Sequence, residues 1–253
     1  MITPGLVSVT FRKLTPKEIL ALMARTELRA VEWGGDVHVP DVFAAAEVRK
    51  MSEDAGVTVA SFGSYYRCGE EESFGPVLKA AVALGAPNIR VWAGNMGSLE
   101  ADPAYREKVA ADACMITAMA MSEGVSVALE FHGGTLTDTT KSTLTLLDAA
   151  ETPGLSTYWQ PPQGSRVDHN LAALEELMPL VSGIHCFEWK YINGEIVRRP
   201  FAEGEANWTA YFQKFKETGQ PRFAFLEFVR NDDPAQFVDD AAALCALLKG
   251  VQG

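Results

Sequence analysis

Short apolar runs alternate with longer segments whose apolar residues recur at helical spacing through nearly all of this chain of 253 residues. Repeated β-then-α units predict parallel strands with helices packed outside, and eight such units predict a closed barrel. The eight predicted strands are Leu6–Phe11, Arg29–Gly34, Thr58–Ser64, Asn88–Ala93, Ser126–His132, Leu155–Pro161, Ser182–Phe187 and Arg222–Val229.

Helix start signals fall between these runs. Thr15-Pro16-Lys17-Glu18 has a capping Thr, Pro at the first helical position and Glu at the third, while Pro103 and Pro234 open two longer helices. The rival fold, a doubly wound open sheet, usually has a glycine-rich turn after its first strand, and this chain has Thr10-Phe11-Arg12-Lys13 there. We therefore predict an α/β fold, a (β/α)8 TIM barrel, as a single domain over residues 1–253.

Composition narrows the function. The net charge of −11 disfavours binding to nucleic acid or to an anionic membrane surface, and no apolar run reaches the ~18 residues of a membrane span. The sequence begins without a basic segment followed by a long apolar stretch, so no signal peptide is predicted. Four scattered cysteines without a CxxC motif are typical of reduced thiols, which predicts a cytoplasmic protein.

Chelating side chains occur late in four consecutive predicted strands. In the fifth strand, Ala128, Glu130 and His132 alternate with apolar residues and are expected to point inward. Gln160, His185 and Glu227 occupy late positions in the next three strands. Late inward residues converge at the mouth of a barrel, and oxygen donors with one imidazole suit a divalent ion. The sequence therefore predicts a metal site there, the alternatives for each residue being a structural salt bridge or a solvated strand end.

Five sequence segments resemble the xylose-isomerase-like family of sugar isomerases and epimerases, an AP endonuclease 2-type barrel superfamily. The family includes ketose 3-epimerases, hydroxypyruvate isomerase and inosose dehydratase, with endonuclease IV-type repair enzymes as more distant members. The resemblance covers essentially the whole chain. The segments are Val31-Glu32-Trp33, Leu129–Thr139, Ile184-His185, the Glu203–Trp208 turn and Leu226-Glu227-Phe228.

The resemblance implies a metal set of Glu, Asp, His and Glu on strands five to eight. Glu130, His185 and Glu227 match three of these positions, but Gln160 stands where the family usually has Asp. The neutral amide removes one negative charge, so weaker binding is expected than in relatives. Mn²⁺ is the favoured ion, with Mg²⁺, Co²⁺ or Zn²⁺ as alternatives. A following His that is usual in the family is absent, although His169 in the loop could replace it.

The same resemblance implies a metal-dependent isomerase or epimerase in which Glu130 and Glu227 transfer a proton next to a carbonyl. The expected substrate is an unphosphorylated sugar or keto-sugar, because the segment Arg230–Asp233 lacks the glycine turn of a barrel phosphate site. Candidate substrate-binding residues are Glu32, His38, His132, Arg67 and Trp92, with Arg90 as another cation for a negative group. The alternatives are a keto-cyclitol dehydratase and a metal-free sugar-binding barrel. A repair nuclease is disfavoured, and a homo-oligomer is open by analogy with relatives.

Overall fold

Eight parallel strands close into a barrel with helices around it in a computed structural model, which describes residues 1–70, 72–162 and 164–252. The order around the barrel is β1-β10-β7-β6-β5-β4-β3-β2, and a separate antiparallel hairpin pairs β8 with β9. The strands are β1 (Ile2–Val7), β2 (Ala30–Gly34), β3 (Thr58–Arg67), β4 (Asn88–Trp92), β5 (Ser126–Leu129), β6 (Leu155–Trp159), β7 (Val181–Cys186), β8 (Glu188–Ile192), β9 (Glu195–Arg199) and β10 (Arg222–Leu226).

The helices lie outside this barrel and follow the predicted start signals. They are α1 (Pro16–Met23), α2 (Val42–Asp54), α3 (Phe74–Leu84), α4 (Pro103–Ser122), α5 (Thr140–Ala150), α6 (Val167–Leu177), α7 (Glu205–Glu217) and α8 (Pro234–Gln252). The capping box before α1 forms as predicted, because Thr15 accepts from the backbone of Glu18 and Glu18 accepts from the backbone of Thr15. No helix in the described ranges is long and apolar enough to cross a bilayer.

The prediction of the first strand as Leu6–Phe11 was wrong. The strand is Ile2–Val7, and Ser8–Phe11 forms a 3-10 helix at the barrel mouth. Position 5 within this strand requires glycine because the backbone there approaches β2 closely: a Cβ would lie 2.7 Å from the carbonyl oxygen of Ala30. The strand ends before Ser8, whose hydroxyl accepts a hydrogen bond from the backbone N–H of Gly34 at 2.8 Å.

The barrel separates an inner from an outer packing layer, as the alternation predicted. Inside lies a small cluster of Val7, Ala30, Ala60, Ala128, Tyr158 and Phe225. The outer layer, between strands and helices, includes Val127, Leu129 and Phe131 from the fifth strand segment. The inner cluster is compact, and polar side chains occupy the barrel interior beyond it.

Candidate active site

A cavity of about 1080 Å³ opens at the carboxyl ends of the barrel strands. Its walls come from the loop after β1, the ends of β4 to β6, the hairpin and the loop after β10. Six residues that the sequence analysis named as candidates line it: Arg90, Trp92, Glu130, His132, Gln160 and Glu227. Enzymes with this architecture bind their ligands at the same end of the barrel.

Two carboxylates flank one imidazole at the floor of this cavity. Nδ1 of His185 lies 3.4 Å from Oε2 of Glu227 and 3.8 Å from Oε1 of Glu130. Both carboxylates lie one residue beyond the ends of their strands, where the parallel pairing still continues. The backbone N–H of Glu227 donates to the carbonyl of Cys186, and that of Glu130 donates to the carbonyl of Val91. His185 itself is buried below the cavity, with Tyr158 packed edge-on against its ring at 5.3 Å.

Gln160 follows β6 and lines the same cavity. Its side-chain N–H donates to the carbonyl of Phe131 at 2.8 Å, which fixes which end of the amide is the oxygen. Its Oε1 is buried and has no hydrogen-bond partner among the described residues. A held amide with an unsatisfied oxygen is consistent with a ligand position, because buried polar atoms are otherwise nearly always paired.

A buried arginine connects two carboxylates beside this group. Arg90 donates through Nε to Oε1 of Glu32 at 2.7 Å and through a second nitrogen to Oε2 of Glu130. Arg90 is 3% exposed and Glu32 is 0% exposed. Glu130 therefore has one oxygen committed to Arg90, whereas Oε2 of Glu227 has no hydrogen-bond partner within the described ranges.

Burial and charge shift the pKa values of this cluster in opposite directions. Burial raises the pKa of Glu227 to about 7, and the neighbouring negative charge of Glu130 adds to that rise. Burial would also raise the pKa of Glu32, but the charges of Arg90 and His185 outweigh it and hold the pKa at about 2. Burial lowers the pKa of His185, yet the adjacent carboxylates, first Glu227, raise it overall.

The side chains at the cavity floor supply the kinds of donor atom that bind a divalent ion, although they are not arranged around a common point. Among the described residues, no three His, Cys, Asp or Glu side chains stand in the arrangement of a metal site. Even so, Gln160 Oε1, His185 Nδ1 and Glu227 Oε2 are buried acceptors without partners. Three buried carboxyl groups lie together here: Glu32 and Glu130 pair with Arg90, and Glu227 lies beside His185. Carboxylate oxygens are the ligands that a hard divalent cation prefers.

The residues predicted to bind substrate are divided between the cavity and other places. Trp92 and His132 line the cavity, and their rings stack with centroids 4.5 Å apart. Nδ1 of His132 lies 2.6 Å from the carbonyl oxygen of Gly133 and donates to it, which leaves Nε2 as an acceptor. Gly133 also lines the cavity.

Three other predicted contacts lie outside the cavity lining. Glu32 is below it, paired with Arg90. His38 is buried against the loop after β1, with Nδ1 2.9 Å from the hydroxyl of Ser8. Arg67 stacks over Trp92 at 4.0 Å and donates to the carbonyl of Gly94. His169 is exposed on α6, so the structure does not bring it to the site either.

Sequence reasoning missed one wall of the cavity. Phe187, Trp189 and Phe228 form an aromatic group, with Phe187 and Trp189 stacked at 4.2 Å, and Trp189 belongs to the unpredicted hairpin. The turn of that hairpin is Asn193-Gly194, both with positive φ. An Asn-Gly pair is a strong hairpin signal and would have allowed the prediction.

Comparison with known proteins agrees with this geometry. The sequence matches the model of the family described as xylose isomerase-like TIM barrel over residues 20–247. The chain therefore belongs to the xylose isomerase-like TIM barrel family, whose characterised members include epimerases, isomerases and a dehydratase. A sequence search against curated proteins returns no significant match.

Solved structures share the fold at low sequence identity. The probable 3-DHS dehydratase involved in petrobactin synthesis from Bacillus anthracis is 20% identical, with 97% of this chain and 98% of that one covered and a TM-score of 0.78. A D-psicose 3-epimerase determined in the presence of D-fructose is 14% identical, with both chains fully covered and a TM-score of 0.75. A family protein from Mycobacterium smegmatis in complex with magnesium is 12% identical, with 100% and 97% covered and a TM-score of 0.74.

Proposed function

We propose that the protein is a metal-dependent enzyme that transfers a proton at the carbon next to a carbonyl in an unphosphorylated sugar or keto-sugar. The observation that carries this proposal is the pair of buried carboxylates, Glu130 and Glu227, whose oxygens lie 3.8 and 3.4 Å from Nδ1 of His185 at the cavity floor. Membership of a family of sugar-processing enzymes supports the same substrate class.

Glu130, Gln160, His185 and Glu227 would hold the divalent ion. When bound, such an ion polarises a carbonyl and makes the neighbouring C–H more acidic. Mn²⁺ is the ion we favour, since three oxygen donors and one imidazole suit a hard or borderline cation. A bound magnesium ion in a structural relative is consistent with a divalent ion of this kind.

Proton transfer is assigned to the two carboxylates. One oxygen of Glu227 would hold the ion and the other would accept the proton, a role that suits a carboxyl whose pKa is raised to about 7. Return of a proton by Glu130 to the opposite face of the same carbon gives epimerisation. Return of the proton to the neighbouring carbon gives aldose–ketose isomerisation.

A dehydratase is the second candidate, because Arg90 already engages Oε2 of Glu130. Elimination of water needs one base for the carbon acid and an acid for the departing hydroxyl. Glu227 supplies the base, and His132, which lines the cavity, would deliver to the departing hydroxyl a proton first taken up at Nε2. The structural similarity to a probable 3-DHS dehydratase is compatible with this reaction but shows only the fold.

Incubation in D₂O tests the proposal. Mn²⁺-loaded protein is mixed separately with D-fructose, a keto-cyclitol and 3-DHS, and each reaction is followed by NMR with and without EDTA. We expect deuterium beside the carbonyl of at least one substrate, lost with EDTA and restored by Mn²⁺ or Co²⁺. A chain that binds these compounds but retains no metal and exchanges no proton is a sugar-binding barrel, and the enzymatic proposal is then wrong.

A further inference from the structure

The outward face of α4 is apolar, although a helix that surrounds a barrel is normally polar on that side. Met115 and Met119 are 54% and 38% exposed there. Residues 110–122 contain one charged side chain, Asp112, and it is turned toward β3, where it accepts a hydrogen bond from the hydroxyl of Tyr66 at 2.8 Å. Exposed apolar surface without charge typically marks a site of association with another molecule.

The exposed positions of α4 are symmetrical about Met115. Ala111 and Met119 lie four residues before and after it, while Lys108 lies seven residues before it and Glu123 eight residues after it. All five residues are exposed, and residues spaced by four and seven share one face of a helix. Lys108 and Glu123 form no ion pair among the described residues. This stripe thus has an apolar centre and charges of opposite sign at its two ends.

A groove of about 360 Å³ between α4 and α5 lies beside this stripe. Ala110, Ala111 and Ala149 leave the groove open because their side chains are short, and Leu146 adds apolar surface to its lining. A methionine side chain is unbranched and flexible, so it suits a groove of this kind. The exposed Met119 and the groove next to Ala111 therefore lie on the same face of α4, about two helical turns apart.

We propose that this face binds a second copy of the chain, with the two α4 helices antiparallel about a two-fold axis at Met115. Under this symmetry Met115 contacts the partner's Met115, and Met119 enters the groove beside the partner's Ala111. Lys108 then lies next to the partner's Glu123, and the last two contacts each occur twice. The charges favour a second copy as the occupant, since the two ends of the stripe neutralise each other when the partner presents the same stripe in reverse. The dimer is independent of the proposed function, because the cavity opens at the ends of the strands and α4 lies outside the barrel.

Sedimentation velocity over a dilution series tests the dimer. We expect the wild type to sediment with the mass of two chains at high concentration and to dissociate on dilution. Lys108→Glu should raise the dissociation constant about tenfold, because it replaces two ion pairs with two contacts between like charges, and adding Glu123→Lys to that variant should restore the wild-type value. Lys17→Glu is the matched control, since Lys17 is exposed on α1, on the other side of the barrel, and the substitution changes the net charge equally.

Disulfide cross-linking tests the position of the axis. In a Cys114→Ala background, Met115→Cys should give a cross-linked dimer under mild oxidation, because the two introduced thiols face each other on the axis. Leu99→Cys should stay monomeric on non-reducing gels, since Leu99 is 99% exposed but precedes α4 and lies outside the stripe. A chain that is monomeric at every concentration, or a dimer without a cross-link at position 115, overturns the inference. A dimer that Lys108→Glu does not weaken, or that Glu123→Lys does not restore, overturns the antiparallel pairing.

Discussion

Glu227→Gln is the substitution that examines proton transfer most closely. The carboxyl is buried and its Oε2 has no hydrogen-bond partner among the described residues, so an isosteric amide opens no cavity and removes one of the negative charges of a crowded cluster. We therefore expect the variant to fold with a Tm close to that of the wild type. An amide cannot accept the proton, and loss of a general base lowers the rate by about 10²–10⁴.

That factor corresponds to about 3–5 kcal/mol in the activation barrier. The assay follows deuterium incorporation from D₂O into whichever substrate the wild type turns over, at Mn²⁺ concentrations that saturate each variant. Glu188→Gln is the matched control, since burial also raises the pKa of Glu188 but the residue does not line the cavity. A Glu227→Gln variant that retains its metal and incorporates deuterium at near wild-type rate would refute the assignment of Glu227 as the base.

Three further predictions follow from the site and from the outer layer. Gln160→Asp should tighten Mn²⁺ binding measured by calorimetry, because it adds a negative charge at an unpartnered oxygen position, and looser binding would count against Gln160 as a ligand. Gly63→Ala should weaken Mn²⁺ binding, because its Cβ would displace the Glu32–Arg90 pair, and unchanged affinity would contradict that arrangement. Trp159→Ala should cost about 3–5 kcal/mol and lower the Tm by about 10 °C in calorimetry, and a shift of only 1–2 °C would show that this aromatic layer contributes little.

Periodicity predicted most of the barrel because successive residues of a strand point alternately to the barrel interior and to the helices. In the fifth strand segment, Ala128 and Glu130 point inward, while Val127 and Leu129 pack on helices. The bounds of the first strand were predicted wrongly for a local reason. Pro4 and Gly5 are unfavourable in most strands, so the sequence did not indicate a strand there. Gly5 is needed because β2 approaches closely, and this tertiary contact cannot be recognised from the sequence.

The sequence predicted which side chains would come near the cavity floor, but it did not predict the ion pairs next to them. Glu130, Gln160, His185 and Glu227 share the late inward phase of consecutive strands, which can be read along the chain. The pairing of Glu32 with Arg90 joins β2 to β4 over 58 positions in sequence, and a late inward Glu fits a substrate contact equally well. Only the geometry places Glu32 beneath the cavity, next to the ring of His185.

Anomalous diffraction from crystals soaked in Mn²⁺ would test the central claim most directly. The account predicts one strong anomalous peak at the cavity floor, within coordination distance of Glu130 Oε1, Gln160 Oε1, His185 Nδ1 and a carboxylate oxygen of Glu227. The Glu32–Arg90 pair should remain in place beneath it. A fully soaked crystal without a peak there, or with its ion held by other side chains, would contradict the assignment of a metal-dependent active site.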